Sequence, residues 1–270
     1  MWKSSARTFC LLFVIVASSV AASIAMLALV RALAPQAVLV ANNDVAGSYL
    51  QTLGTVYAVL LAFVVFVVWT QHNEARSAVE KEANEIADLY RTVHGFSGPC
   101  RGLIRSRIED YVRIVADQEW TSMASGQADE AARRSLDLLW KALESANPAT
   151  PREENLYCEA LARFNDLSDG RTHRLLSARL RLPPTMWLLL VVGAALTVGS
   201  MGFFGVASFA LHALMTAALA GLVAFVLFVI CDLDNPFWGD WKITPEPLLQ
   251  AVATEAALAE KGADAETAPR

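Results

Sequence analysis

The sequence predicts an all-α protein with four transmembrane helices and a helical cytoplasmic domain between the second and third. Three observations carry this expectation. Four apolar blocks, Phe9 to Val30, Tyr49 to Trp69, Thr185 to Gly205 and Ala207 to Cys231, contain no acid, lysine or arginine. The stretch from Thr70 to Leu182 turns amphipathic with helical spacing, and no run in it alternates with the two-residue period of a strand. Charged residues make up 18% of the chain, against about a quarter in a soluble domain.

A hydrocarbon layer about 30 Å thick needs about 20 apolar residues of helix, because each residue rises about 1.5 Å. All four blocks reach that length. They divide the chain into a first hairpin, 1–69, with helices over about 9–30 and 49–69, and a helical cytoplasmic domain, 70–184. A second hairpin, 185–231, and a cytoplasmic tail, 232–270, complete it. Lys3 and Arg7 precede the first block, and Ala32-Leu33-Ala34 resembles a signal-peptide cleavage site. The block is longer than an h-region of about 7–15 residues, so a retained anchor is expected.

Basic residues collect on one side. Arg171, Arg174, Arg179 and Arg181 stand just before the third block, whereas the first connection holds only Arg31 and Asp44. Positive charge favours the cytoplasmic side. Both termini and the central domain are therefore expected on the cytoplasmic side. The four arginines have two roles open to them: setting topology at lipid headgroups, or concentrating anions at an inner mouth.

The central helices follow from spacing and breakers. Ala75, Val79, Ile86, Leu89, Tyr90 and Val93 continue the second span as one helix until Gly95 to Pro99 breaks it. A second helix is expected from about Arg101 to Trp120 and a third from about Ala128 to Ser145. A fourth starts near Arg152, with Gly170 as a kink or break, and ends before Pro183-Pro184. The Ala/Glu-rich end reads as frayed or disordered.

Little in the chain points to chemistry. It lacks G-x-S-x-G, H-E-x-x-H, a Walker A loop and a dinucleotide fingerprint. Cys10, Cys100, Cys158 and Cys231 are scattered and read as packing residues. No enzyme activity, metal or cofactor is expected, and a net charge of -5 argues against nucleic-acid binding. His212, near one end of its block, reads as an interfacial residue. In the second block Leu53, Tyr57, Leu61 and Val64 share a helix face, with Leu60, Phe63 and Val67 on an adjacent one. Such a face can ring a symmetry axis as a dewetting constriction or pack against lipid and neighbouring helices; both stay open.

At Tyr57 to Glu82, Tyr111 to Trp120 and Asp169-Gly170-Arg171-x-x-Arg174 the sequence resembles the bacterial bestrophin-like membrane proteins, a group defined largely as a domain of unknown function. Pro183, Trp187 and Asp234-Asn235-Pro236-Phe237-x-Gly239 extend the likeness, which runs from about Gly47 to Pro247. The resemblance implies a homo-oligomer, pentameric in true bestrophins, that conducts small inorganic anions through a bilayer, here the inner (plasma) membrane of a bacterial cell. It implies a neck at Leu53, Tyr57 and Leu61, and a structural corner at Asp234, Asn235, Pro236 and Phe237. The chain departs from calcium-gated bestrophins after that corner, where Trp238-Gly239-Asp240-Trp241-Lys242 replaces an acidic run. One aspartate cannot supply the several oxygen ligands calcium takes, so no such calcium clasp is expected. The alternative is a non-conducting scaffold or sensor whose cytoplasmic helices bind a partner protein.

Overall fold

Helices are the only regular elements in the computed structural model, which describes residues 6–96 and 98–267; Lys3 lies outside them. In order they are α1 (Ala6–Leu33), α2 (Gln36–Ala41), α3 (Asn43–Val93), α4 (Gly98–Ile114), α5 (Trp120–Met123) and α6 (Glu130–Glu144). They continue with α7 (Pro151–Arg179), α8 (Pro184–Ser200), α9 (Phe209–Leu233) and α10 (Glu246–Thr267). A π turn, Val115–Glu119, joins α4 to α5, and a 3-10 turn, Met201–Phe203, extends α8. Two compact units result: 1–70 with 181–234, and 71–180 with 235–270.

The first unit holds four helices long and apolar enough to cross a membrane: α1, α3, α8 with its 3-10 turn, and α9. A helix satisfies its own amides internally, as a hydrocarbon layer demands. Helix α1 packs along α9 and α8, and small residues let backbones approach. A Cβ at Gly205 would stand 2.3 Å from the Val40 backbone nitrogen, and one at Gly193 would stand 2.5 Å from the Tyr57 ring. The first connection is not bare loop: α2 fills it, with Leu39 buried.

The second unit is a helical bundle with its own core. Ile86, Leu89, Ile104, Ile108, Leu139 and Leu143 are fully buried in it. Local signals set its helix starts. The Asp129 carboxylate accepts from the amides of Ala131 and Ala132. Thr150 Oγ1 accepts from the Glu153 amide, with Pro151 in the first turn.

Three expectations change. Helix α7 runs unbroken through Gly170; the glycine is there because a Cβ would meet the Glu82 backbone at 3.3 Å. The C-terminal end is helix α10 through Thr267. It is held by fully buried Leu248 and by Arg91 Nη2, which lies 2.6 Å from Glu255 Oε1. Cys10, Cys158 and Cys231 are exposed and Cys100 is half-buried, so three of the four do not pack within the chain.

Candidate functional site

Helix α3 is the place to look first, because its membrane half carries the constriction candidates. The structure turns that face inward. Tyr57 is 4% exposed and Val64 3% exposed. The Tyr57 ring lies against Gly193, and its hydroxyl donates to the Leu190 carbonyl at 3.0 Å. An aromatic ring with a polar tip suits such a helix contact, where the hydroxyl would otherwise stay unpaired in hydrocarbon. Leu53 and Leu61, on the same side, are partly covered. The Leu53, Tyr57, Leu61, Val64 stripe therefore faces helices of its own unit.

The opposite face of α3 stays open. Ser48, Thr52, Thr55, Val59, Ala62 and Phe66 follow one another at intervals of three or four residues, and all are exposed. The hydroxyls at its start are satisfied within the helix. Ser48 donates to Asp44 O at 3.0 Å, Thr52 to Ser48 O at 3.0 Å and Thr55 to Gln51 O at 2.7 Å. This stripe passes from hydroxyl-bearing to apolar along its length.

The basic candidates divide sharply. Arg174 is 0% exposed, and Arg171 is buried beside it. Arg174 Nε donates to Glu82 Oε2 at 2.5 Å, and its Nη2 to Glu82 Oε1 at 3.1 Å and Glu119 Oε2 at 2.9 Å. Its third nitrogen, Nη1, turns to the Met123 sulfur. The Arg171 Nε and Nη2 donate to the two oxygens of Glu119, at 3.2 and 2.5 Å. Tyr111 donates to Glu82 Oε1 at 2.7 Å, and the Asp129 amide to Glu119 Oε1 at 3.2 Å. Trp120 places its ring 5.2 Å from the Arg174 guanidinium carbon.

Two arginines and two glutamates thus cancel within the bundle. Arg171 and Arg174 lie three residues apart and so share one face of α7. The π turn ends in Glu119, and Val115, Glu119, Trp120 and Met123 are all buried. Glu82 and Glu119 were not singled out from sequence. Their signal was position, since both sit in the stretches on which the resemblance rests. Three separated segments, ending at Glu82, at Glu119-Trp120 and at Gly170-Arg171-x-x-Arg174, meet at this cluster.

Burial opposes the Arg174 charge, but the Glu82 and Glu119 carboxylates outweigh it and hold its pKa above the usual guanidinium range. Burial, reinforced by the Glu82 carboxylate, pushes the Tyr111 phenol well above its ordinary value. An unfolded tyrosine ionises near pH ~10, whereas the buried one keeps its proton. Stability supplied by Tyr111 is therefore full below about pH 10 and falls as pH rises toward the folded pKa, by about 1.4 kcal/mol per unit. Alkaline unfolding of the purified protein should be steeper in wild type than in Tyr111→Phe. Superimposable alkaline limbs would contradict this burial.

Arg179 is exposed, and its Nε donates to the Gly126 carbonyl at 3.2 Å. Gly126 needs to be glycine, with φ at 74°. Burial lowers the Arg181 pKa, opposed by the Asp234 carboxylate. Of the four arginines, Arg171 and Arg174 are thus held in the buried ion cluster, and Arg179 and Arg181 lie outside it.

Asp234 closes α9, and its Oδ1 accepts from the Leu182 amide at 2.7 Å. Asn235, Pro236 and Phe237 then form a tight corner. Asn235 Oδ1 accepts from the Phe237 amide at 3.3 Å, and Asn235 Nδ2 donates to Ala124 O at 3.2 Å. Phe237 is buried edge-on to Trp120 at 5.6 Å, and Trp120 Nε1 donates to Ile243 O at 3.0 Å. Gly239, at φ 92°, supplies a backbone conformation that other residues rarely adopt.

His212 is enclosed within the chain, 0% exposed. Its Nε2 lies 2.7 Å from the Met201 carbonyl and its Nδ1 3.4 Å from Arg31 Nη2. Among the described residues no three His, Cys, Asp or Glu side chains gather as a metal ion would require.

The sequence profile of the bestrophin-like domain matches residues 17–248. No curated protein matches the chain. Two solved structures share its fold. One is a crystal structure of a membrane protein with a proline-to-alanine substitution, 12% identical, TM-score 0.68, covering 90% of this chain and 98% of that one. The other is a bacterial bestrophin homologue from Klebsiella pneumoniae with an isoleucine-to-threonine substitution, 14% identical, TM-score 0.65, with the same coverages of 90% and 98%.

Proposed function

Because the chain belongs to the bestrophin-like family, we propose that it is the subunit of an oligomeric, anion-conducting membrane channel whose pore is lined by α3. Family membership supports a channel-like membrane fold, and the open face of α3 supports the choice of helix. That face carries three hydroxyls, Ser48, Thr52 and Thr55, before turning apolar at Val59, Ala62 and Phe66. The exposed large side chains of α8 and α9, such as Leu188, Val191, Leu214 and Phe225, are hydrocarbon, as lipid contact requires. Hydroxyls on an open membrane face suit water and ions better than lipid.

In this reading copies of the chain surround an axis, five of them by the family resemblance. Each hydroxyl that turns its hydrogen from the helix carbonyl into the pore donates to a partly hydrated anion, and rings of Val59, Ala62 and Phe66 form a narrow apolar gate that closes by dewetting. Phe66, 67% exposed in the single chain, is the bulkiest of these. The constriction thus moves from Leu53, Tyr57, Leu61 and Val64 to the opposite face of the same helix. Arg179 and Arg181 favour cytoplasmic termini, and the likeness to a bacterial bestrophin homologue favours a bacterial plasma-membrane location.

Reconstitution in liposomes tests this directly. Phe66→Ala should raise anion flux several-fold by widening and wetting the gate, and Val59→Ser should act in the same direction. Tyr57→Ala should chiefly lower thermal stability. Wild-type protein that gives no anion flux and purifies as a monomer with a bound cytosolic protein would favour the scaffold instead. A micrograph of the purified particles would supply the rotational symmetry.

A further inference from the structure

We propose that Arg31 holds the phosphodiester of an anionic membrane lipid at the end of the span formed by α1. A guanidinium at the edge of a hydrocarbon layer calls for a counter-charge, and the chain supplies none. Arg31 makes no carboxylate pair among the described residues; its partners are the Val206 carbonyl, His212 and the Phe209 ring. Helices α1, α2 and α8 contain no acidic residue. The connections 34–42 and 201–208 hold none either. Asp44, the nearest acid along the sequence, lines a surface hollow on α3 with Val45, Ser48, Tyr49 and Thr52.

The neutral contacts aim the side chain without cancelling its charge. Nη2 donates to the Val206 carbonyl and lies 3.4 Å from His212 Nδ1. The guanidinium carbon sits 5.4 Å from the centre of the Phe209 ring. Nε is shielded from solvent without a hydrogen-bond partner, so it has lost its water as well. Nη1 makes no hydrogen bond and is not shielded, which leaves it for a ligand. Gln36 reaches the same acceptor: its Nε2 donates to Val206 O at 3.1 Å, and the second hydrogen of that amide stays free. Two phosphate oxygens can therefore be met by an arginine and a neighbouring amide.

The turn that presents these groups is already fixed. Asn43 Oδ1 accepts from the Gly205 amide at 2.8 Å, and its Nδ2 donates to Gly205 O at 3.3 Å. A ligand at Arg31 thus meets a preformed site.

Position selects a lipid over a solute. Helix α1 ends at Leu33 and α9 begins at Phe209, and both are long and apolar enough to cross a membrane. Arg31 therefore stands where hydrocarbon gives way to headgroups. The large side chains flanking it along α1 and α9, Leu29, Leu33, Phe209 and Leu211, are exposed. They offer acyl chains a surface that a free phosphate has no use for. With no acid beside Arg31 to meet the ammonium of a zwitterionic headgroup, a net-negative one fits best.

Nanodiscs of phosphatidylcholine that hold the full-length protein and a trace of phosphatidylglycerol with a photoreactive headgroup read the site. After illumination, label in peptides covering residues 27–36 and 204–212 should be about fivefold lower in Arg31→Gln than in wild type, the contribution of one basic residue at a charged headgroup. Arg31→Lys, which keeps the charge and loses the fork, should label close to wild type. Excess inorganic phosphate should leave the label in place. Equal labelling of wild type and Arg31→Gln overturns the proposal. So does an equal loss in Arg31→Gln and Arg31→Lys, which would mark a shifted turn rather than a missing charge. Label displaced by inorganic phosphate would reveal an aqueous anion site and rule out the lipid.

Discussion

Arg174→Met should destabilise the helical unit by about 3–5 kcal/mol, read as a lower unfolding midpoint in detergent. The loss comes less from a missing attraction than from what is left behind. Glu82 and Glu119 are both 0% exposed, and without Arg174 the Glu82 carboxylate keeps only the Tyr111 hydroxyl. Glu119 keeps Arg171 and the Asp129 amide, so Glu82 is left as a desolvated anion without a cation and must recruit water or a proton. Glu82→Gln in the same background removes that charge and should recover part of the loss. The coupling between the two positions should lie in the range of about 0.5–3 kcal/mol expected for groups in one network. A variant Arg174→Met within about 0.5 kcal/mol of wild type, the range of ordinary surface changes, would mean that the cluster is wet and the charges independently solvated.

Gly205→Ala should be the most disruptive one-methyl addition in the membrane unit. Its Cβ would lie 2.3 Å from Val40 N and 2.7 Å from Val40 Cα. Backbone atoms cannot rotate aside as a side chain can, so the turn between α8 and α9 must shift as a whole. Overpacking costs about 1–3 kcal/mol where neighbours can give, and here the upper end is expected. The thermal midpoint in detergent should fall, and the Asn43–Gly205 hydrogen bonds should weaken with it. Gly54→Ala makes a control, since a Cβ there meets nothing within 4 Å. Equal melting of the two variants would show that the turn does not approach Val40 closely.

Much of the fold was legible along the chain because its causes are local. Phe9 to Val30 and the other apolar blocks announce spans by length alone. Thr150-Pro151 starts α7, and Pro183-Pro184 separates it from α8, since caps and missing amides act within one turn. Ile104, Ile108, Tyr111, Val112 and Val115 recur at helical spacing along the sequence, and all five are buried. Helix α10 was missed for the complementary reason. An Ala/Glu-rich segment carries no apolar stripe strong enough to announce itself, and its order comes from Leu248 and the Glu255–Arg91 pair, supplied by a distant helix.

The site was harder. Arginines near a membrane boundary read as surface charge, and only the positions of Glu82 and Glu119 turn Arg171 and Arg174 inward. Tyr57 shares a helix face with Leu61 and Val64 on any helical wheel, but the wheel does not say which face a neighbour covers. Gly193 settled that by leaving room for the ring. Gly170 looked like a breaker and is instead a contact point for the Glu82 backbone. His212 near the end of its block suggested an interface, and Met201 and Arg31 drew it inside.

By itself the sequence determined the helical class, the four spans and the continuation of α3 beyond the membrane, because amide pairing and apolar length are properties of consecutive residues. Only the tertiary structure decided which face of α3 is open, which arginines are neutralised and what encloses His212. Each of those depends on a partner more than a hundred residues away or on another helix, and no local pattern records who that partner is.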